Sequence, residues 1–201
     1  MQQPPDLSDE SRASASPTSY SYKASLVGAA HQFELTDEGL AWWIGRKHNV
    51  WPYRSIAAIR LSYRPMTMQS RRFRADVENR SGEKISVLST SWQTVALVTP
   101  QDESYRIFVQ ELHRRVASSG GEVTLTGGLK PLVYGIGVVL MSVVAVAMAG
   151  LLVRALTTGA VGGALFLLAF AAVFGWQIGG FLWRNKPRSY SFAAPPAGLL
   201  P

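Results

Sequence analysis

The stretch LLVRALTTG, residues 151–159, sets one arginine among apolar and uncharged residues. Two readings compete for Arg154. It is either a charge held inside a membrane, and so functional, or the tip of a turn between two spans. The flanks decide. Residues 131–153 (PLVYGIGVVLMSVVAVAMAGLLV) carry no charge, and neither do residues 155–183 (ALTTGAVGGALFLLAFAAVFGWQIGGFLW). A helix needs about 20 apolar residues to cross a hydrocarbon core of about 30 Å. Each flank is therefore long enough to cross alone, and one continuous helix would overrun any bilayer at about 1.5 Å per residue. Thr157, Thr158 and Gly159 are turn residues. The pattern predicts spans over residues 131–153 and 160–183, joined by an external turn over residues 154–159 with Arg154 snorkelling to water. A functional arginine at mid-membrane is the costlier reading.

Charge divides the chain in the same way. All 13 acidic residues lie at or before Glu122, which implies a soluble part of about 120 residues joined to a membrane part. The chain has no cysteine, which excludes disulfides, thiolate metal sites and cysteine nucleophiles. Residues 1–20 begin MQQPPDLSDESRASASPTS, with prolines and acids where a signal peptide needs a basic and then an apolar run. They are expected to form a disordered tail. Arg114, Arg115 and Lys130 precede the first span, and Arg184, Lys186 and Arg188 follow the second. The positive-inside rule then puts both termini in the cytoplasm, with the protein multi-pass in the cytoplasmic (inner) membrane. Tyr134 and Trp183 are placed for its interface.

The soluble part, residues 21–118, is patterned as strands closed by a helix. HQFELT alternates, Asp37-Glu38-Gly39 turns, and LAWWI follows. Residues 46–49 are expected to make the next turn, into VWPY, and YKASLV to form a strand near residues 22–27. In IAAIRLSYR, Ile59, Leu61 and Tyr63 share one face while Arg60, Ser62 and Arg64 share the other. Phe73, Ala75 and Val77 alternate with Arg72, Arg74, Asp76 and Glu78, and Ile85 and Val87 point inward from KISVLS. Thr99-Pro100-Gln101-Asp102 has the form of a helix start, with a hydroxyl cap and proline at the first helical position. Tyr105, Phe108, Val109, Leu112 and Val116 then form an apolar stripe. Residues 119–130 are expected to be a Gly/Ser-rich linker, and residues 184–201 a cytoplasmic tail with an extended end.

FELTDEGLAWW and PYRSIAAIRL, with Pro52, Tyr53, Ile56 and Ile59 in a "PY-x-x-I-x-x-hydrophobic" pattern, resemble a bacterial pleckstrin-homology-like (PH-like) domain over roughly residues 22–118. Many such domains adjoin pairs of membrane spans; in many the spans precede the domain, whereas here they follow it. The resemblance implies a β-rich bent barrel capped by one C-terminal helix and a role in binding or assembly. It carries no catalytic residue over. With the two-span all-α transmembrane hairpin, that completes the expected fold.

Motifs for chemistry are sparse. His31, His48 and His113 have no metal-ligand partner at helical spacing. No phosphate loop, dinucleotide fingerprint or serine elbow is legible, so no catalytic residue, cofactor or metal is expected. No acid, lysine or histidine lies within the spans to carry a proton relay. Small residues at four-residue spacing (Ala145 and Ala149, Gly159 and Gly163, Gly175 and Gly179) suit close helix pairing within the hairpin, or a homo-oligomer. The strongest chemistry is charge: residues 40–74 hold eight basic residues and no acid. Arg60, Arg64, Arg72 and Arg74 are the candidate contacts for anionic lipid headgroups. The plainer reading is a solvated sheet face countered by Asp76, Glu78 and Glu83. Nucleic acid is disfavoured, because no stacking platform or recognition helix accompanies the arginines. The expected function is non-catalytic binding of lipid headgroups or a protein partner at the membrane. The alternative is an accessory subunit of a membrane enzyme or transporter complex, associating through the hairpin.

Overall fold

The computed structural model describes residues 18–25, 28–64, 71–93 and 98–201. The expected N-terminal tail lies outside these residues as far as residue 17. Its last residues are not tail: Ser19–Tyr22 is the first strand, β1, and Tyr20 is buried. The strand expected over residues 22–27 is displaced accordingly, and residues 26 and 27 lie outside the described set. Alternation explains the shift, since Tyr20 and Tyr22 face inward while Ser19 and Ser21 face out.

Four strands form an antiparallel meander, β1, β2 (His31–Leu35), β3 (Leu40–Ile44) and β4 (Lys47–Trp51). The turn between β3 and β4 is tighter than residues 46–49. Gly45 takes φ +63 and the strand resumes at Lys47, so Trp43 pairs with His48 and Ile44 with Lys47. After a 3-10 turn at Tyr53–Ser55 come β5 (Ile56–Tyr63), β6 (Phe73–Asn79) and β7 (Lys84–Leu88) of a second sheet. A register shift between Ile56 and Ala58 lets Ile56 and Ile59, three residues apart, both turn inward. From Ile59 the expected alternation holds: Ile59, Leu61, Phe73, Ala75, Val77, Ile85 and Val87 are all buried.

A short hairpin of β8 (Thr90–Trp92) and β9 (Val98–Pro100) precedes helix α1 (Asp102–Ser118). This corrects the expected helix start. Thr99 and Pro100 belong to a strand, with Pro100 opposite Thr90, and Gln101 occupies the cap position without a side-chain hydrogen bond. The stripe itself stands as expected, with Tyr105, Phe108, Val109, Leu112 and Val116 all buried. Both sheets and this stripe contribute to one hydrophobic core. Among the described residues neither sheet closes on itself.

The region expected to be a linker is built into the fold. β10 (Thr124–Gly127) runs parallel to β5, pairing Leu125 with Ile59 and Thr126 with Arg60. The segment after the second long helix returns as β11 (Arg188–Ser189), antiparallel to β10, which completes the sheet order β11-β10-β5-β6-β7. The end of the chain is likewise seated, with Leu199 fully buried and Leu200 nearly so.

Between β10 and β11 lies the hairpin of α2 (Pro131–Thr157) and α3 (Val161–Arg184). Both helices are long and apolar enough to cross a membrane. Their large apolar side chains face outward, Leu132, Val139 and Trp176 among them, and only Ala164 is buried. The turn is shorter than residues 154–159. The helix continues past Arg154, whose carbonyl accepts hydrogen bonds from the hydroxyls of Thr157 and Thr158 and from the Thr158 N–H, and Gly159 turns the chain at φ +70. Arg154 thus lies in the last turn of α2, beside the tip.

Candidate functional site: a basic groove at the root of the hairpin

Where the hairpin joins the second sheet, the backbone is tightly fitted. Asn185, directly after α3, is fully buried; its side-chain oxygen accepts from the Tyr63 N–H at 3.0 Å and its Nδ2 donates to the Phe181 carbonyl at 3.1 Å. The Leu129 N–H donates to the Asn185 carbonyl at 2.9 Å, and the Gly128 N–H to that of Leu61 at 2.8 Å. Gly128 adopts φ +87, and a Cβ there would lie 2.5 Å from the carbonyl oxygens of Asn185 and Lys186. Only glycine meets both demands. The Arg184 guanidinium stands 5.1 Å from the centre of the Tyr63 ring, within cation–π range. Both helix roots are thereby held against one edge of β5.

Beside this joint the outer face of the sheet forms a groove of about 450 Å³. β5 contributes Arg60 and Ser62, with Arg64 just beyond its end; β6 contributes Arg74 and Asp76; β10 contributes Thr124 and Thr126. The wall is the approach to α2 and its first turn, with Leu129, the cap residue Lys130 and Val133.

The four candidate arginines divide here. Arg60 and Arg64 line the groove, and no described carboxylate comes within ion-pair distance of either. Arg74 also lines it but is engaged: its Nε donates to Asp76 at 2.6 Å and its second nitrogen to the Ser86 hydroxyl at 2.9 Å, while that hydroxyl donates to Asp76. Arg72 is not a lining residue. Its Nε donates to Thr90 Oγ1 at 2.8 Å, its Nη2 is buried without a described partner, and burial pulls the guanidinium below its usual pKa. Of the four candidate arginines, two have no described carboxylate at ion-pair distance and two are engaged by neighbouring side chains. Alternation fixes only which face a residue leaves from; neighbours within reach fix whether its charge is free.

Sequence reasoning missed Ser62, Thr126 and Lys130 as members of this site. In the sequence Lys130 reads only as charge flanking the first span. Ser62 and Thr126 come together through a parallel pairing of β5 and β10, which local patterning does not reveal. The histidines lie elsewhere. His48 is exposed, His31 approaches the Tyr22 hydroxyl at 3.1 Å, and buried His113 bridges α1 and the C-terminal segment. Among the described residues no three or more His, Asp or Glu gather to hold a metal ion. In comparison with known proteins, the chain matches no family model and no curated protein or solved structure at a significant level.

Proposed function

We propose that the chain is a non-catalytic membrane protein whose β-rich domain, a PH-like bent barrel by the resemblance of residues 22–118, binds anionic lipid headgroups on the cytoplasmic face. The hairpin anchors it with both termini inside. The observation that carries this reading is the groove: Arg60, Arg64 and Lys130 converge on it, and it opens beside the first turn of an apolar helix. A basic residue close to an anionic surface contributes about 1 kcal/mol. The tight joint at Gly128 and Asn185 supports the same reading, because it keeps those charges at a constant height above the root of the hairpin.

The test uses the full chain in nanodiscs of mixed anionic and zwitterionic lipid, released into mild detergent, with retained lipid counted by mass spectrometry. Wild type should retain anionic lipid, less so as salt rises. Arg60→Gln with Arg64→Gln should weaken that retention roughly 10- to 30-fold, at about 1 kcal/mol per charge. Arg72→Gln with Arg74→Gln should cost stability more than lipid, since those side chains hold Thr90, Asp76 and Ser86. Equal lipid retention by wild type and the Arg60/Arg64 variant would return these arginines to a solvated sheet face and favour a protein partner.

A further inference from the structure

The groove leaves particular polar groups unanswered, and together they specify a ligand. Ser62 is 3 % exposed and lines the groove, yet its hydroxyl has no hydrogen-bond partner among the described residues. What little of Ser62 is exposed faces the groove, so its hydroxyl is free to donate to a ligand oxygen there. Helix α2 starts at the same wall. Lys130 is its cap residue, Pro131 follows, no side chain caps it, and no acid lies in its first turn. The N–H groups of Leu132 and Val133 are thus left at the positive end of a 27-residue helix dipole. Asp76 and Glu78 also line the groove, but Arg74 and Lys84 are paired with them. The charges without a carboxylate within ion-pair distance among the described residues are those of Arg60, Arg64 and Lys130.

We infer that this groove seats a single phosphate group of an anionic phospholipid. The Ser62 hydroxyl donates to one phosphate oxygen, the first-turn N–H groups of α2 serve a second, and Arg60, Arg64 and Lys130 balance the charge. The glycerol side of the lipid leaves along Leu129 and Val133, where the apolar helix begins. That apolar wall favours a phospholipid over a soluble phosphate. The inference rests on the proposed lipid-binding reading and narrows it from a basic surface to one stoichiometric seat.

The experiment titrates the full chain, in neutral detergent, with dihexanoyl phosphatidic acid followed by phosphorus NMR and calorimetry, with inorganic phosphate as competitor. Saturation at one lipid per chain is expected, with inorganic phosphate competing only at much higher concentration. Ser62→Ala should weaken binding roughly tenfold, as loss of a hydrogen bond to a charged group does. Lys130→Gln, an exposed change, should weaken it to a similar degree, and melting curves of both variants report whether the fold is intact. Inorganic phosphate binding as tightly as the lipid overturns the lipid assignment. Wild-type affinity in folded Ser62→Ala and Lys130→Gln overturns the seat. Should the titration never saturate while nanodiscs still retain anionic lipid, the seat falls and the broader lipid-surface reading stands.

Discussion

As a neutral ring His113 has both nitrogens hydrogen-bonded. Its Nδ1 lies 2.7 Å from the Val109 carbonyl, which can only accept, so that nitrogen carries the hydrogen. Its Nε2 is then the acceptor, and the Tyr190 hydroxyl donates to it at 2.8 Å. Burial holds the imidazole below its ordinary pKa, only partly offset by the hydrogen bond to Val109. The sign for stability follows. In the unfolded chain a histidine takes up its proton near pH 6.5, while the folded ring resists it. The unfolded state therefore binds more protons, and stability falls as pH drops through about 6.5 toward the folded pKa, by up to about 1.4 kcal/mol per pH unit. Desolvation lowers the pKa of half-buried His31 too and adds the same sign. Glu111 does not confuse this window: the hydrogen bond from Arg114, opposed by desolvation and aided by Arg115, holds it at about 2, so its contribution is lost only in acid well below pH 5. The thermal midpoint of the full chain should fall between pH 7.5 and 5.5, and His113→Gln should reduce that slope. An unchanged slope in a folded His113→Gln variant would show that the ring takes its proton without cost.

At the scale of elements, two short late strands, together with the end of β5, tie the hairpin to the sheet. β10 has four residues and β11 two, yet between them they frame both long helices. Leu199 is fully buried, with a methyl where a Cβ on Gly127 would lie at 2.7 Å, so the strand and the tail are fitted to each other. Leu199→Asp should lower the stability of the full chain by on the order of 3–5 kcal/mol, since it places an unpaired charge in the core. Ile107→Asp, on the exposed side of α1, should cost under about 1 kcal/mol by the same melting measurement. Similar losses in the two variants would mean that the tail is not held by the core. These elements mark the limit of what the sequence makes legible. Inward Phe73, Ala75 and Val77 follow from a period of two, and the α1 stripe from a period of 3.6, because both are local. The pairing of Leu125 with Ile59 is set by an encounter across 66 positions, and a strand of four residues is too short for a periodicity to announce it. Thr99-Pro100 failed as a cap for a related reason: the nearby strand β8 competed for the same residues. In the site, the face of each arginine was readable, but its engagement with Asp76 or Thr90 was not.

For the whole molecule, the joint constrains orientation. α2 begins from β10 and α3 ends one residue before Asn185, which bonds both Tyr63 and Leu129, so the two helices leave and re-enter at the same edge of one sheet. A hairpin so rooted puts its turn on the far side of whatever it crosses, and the domain on the near side. Lys130, Arg184, Lys186 and Arg188 flank the root, whereas Arg154 stands alone beside the turn. Basic residues near span ends favour the cytoplasmic side, and the topology proposed above therefore has the domain and root inside and the turn outside. The absence of cysteine gives a direct measurement, because any introduced thiol is unique. Thr158→Cys, in the exposed turn, should react with a membrane-impermeant maleimide added to intact spheroplasts. Arg46→Cys, in the exposed β3–β4 turn, should react only after the membrane is opened. The reverse pattern would invert the protein and move the groove to the outer leaflet. Labelling of both positions in intact spheroplasts would mean that the hairpin does not cross, and that its apolar faces are covered by something other than lipid.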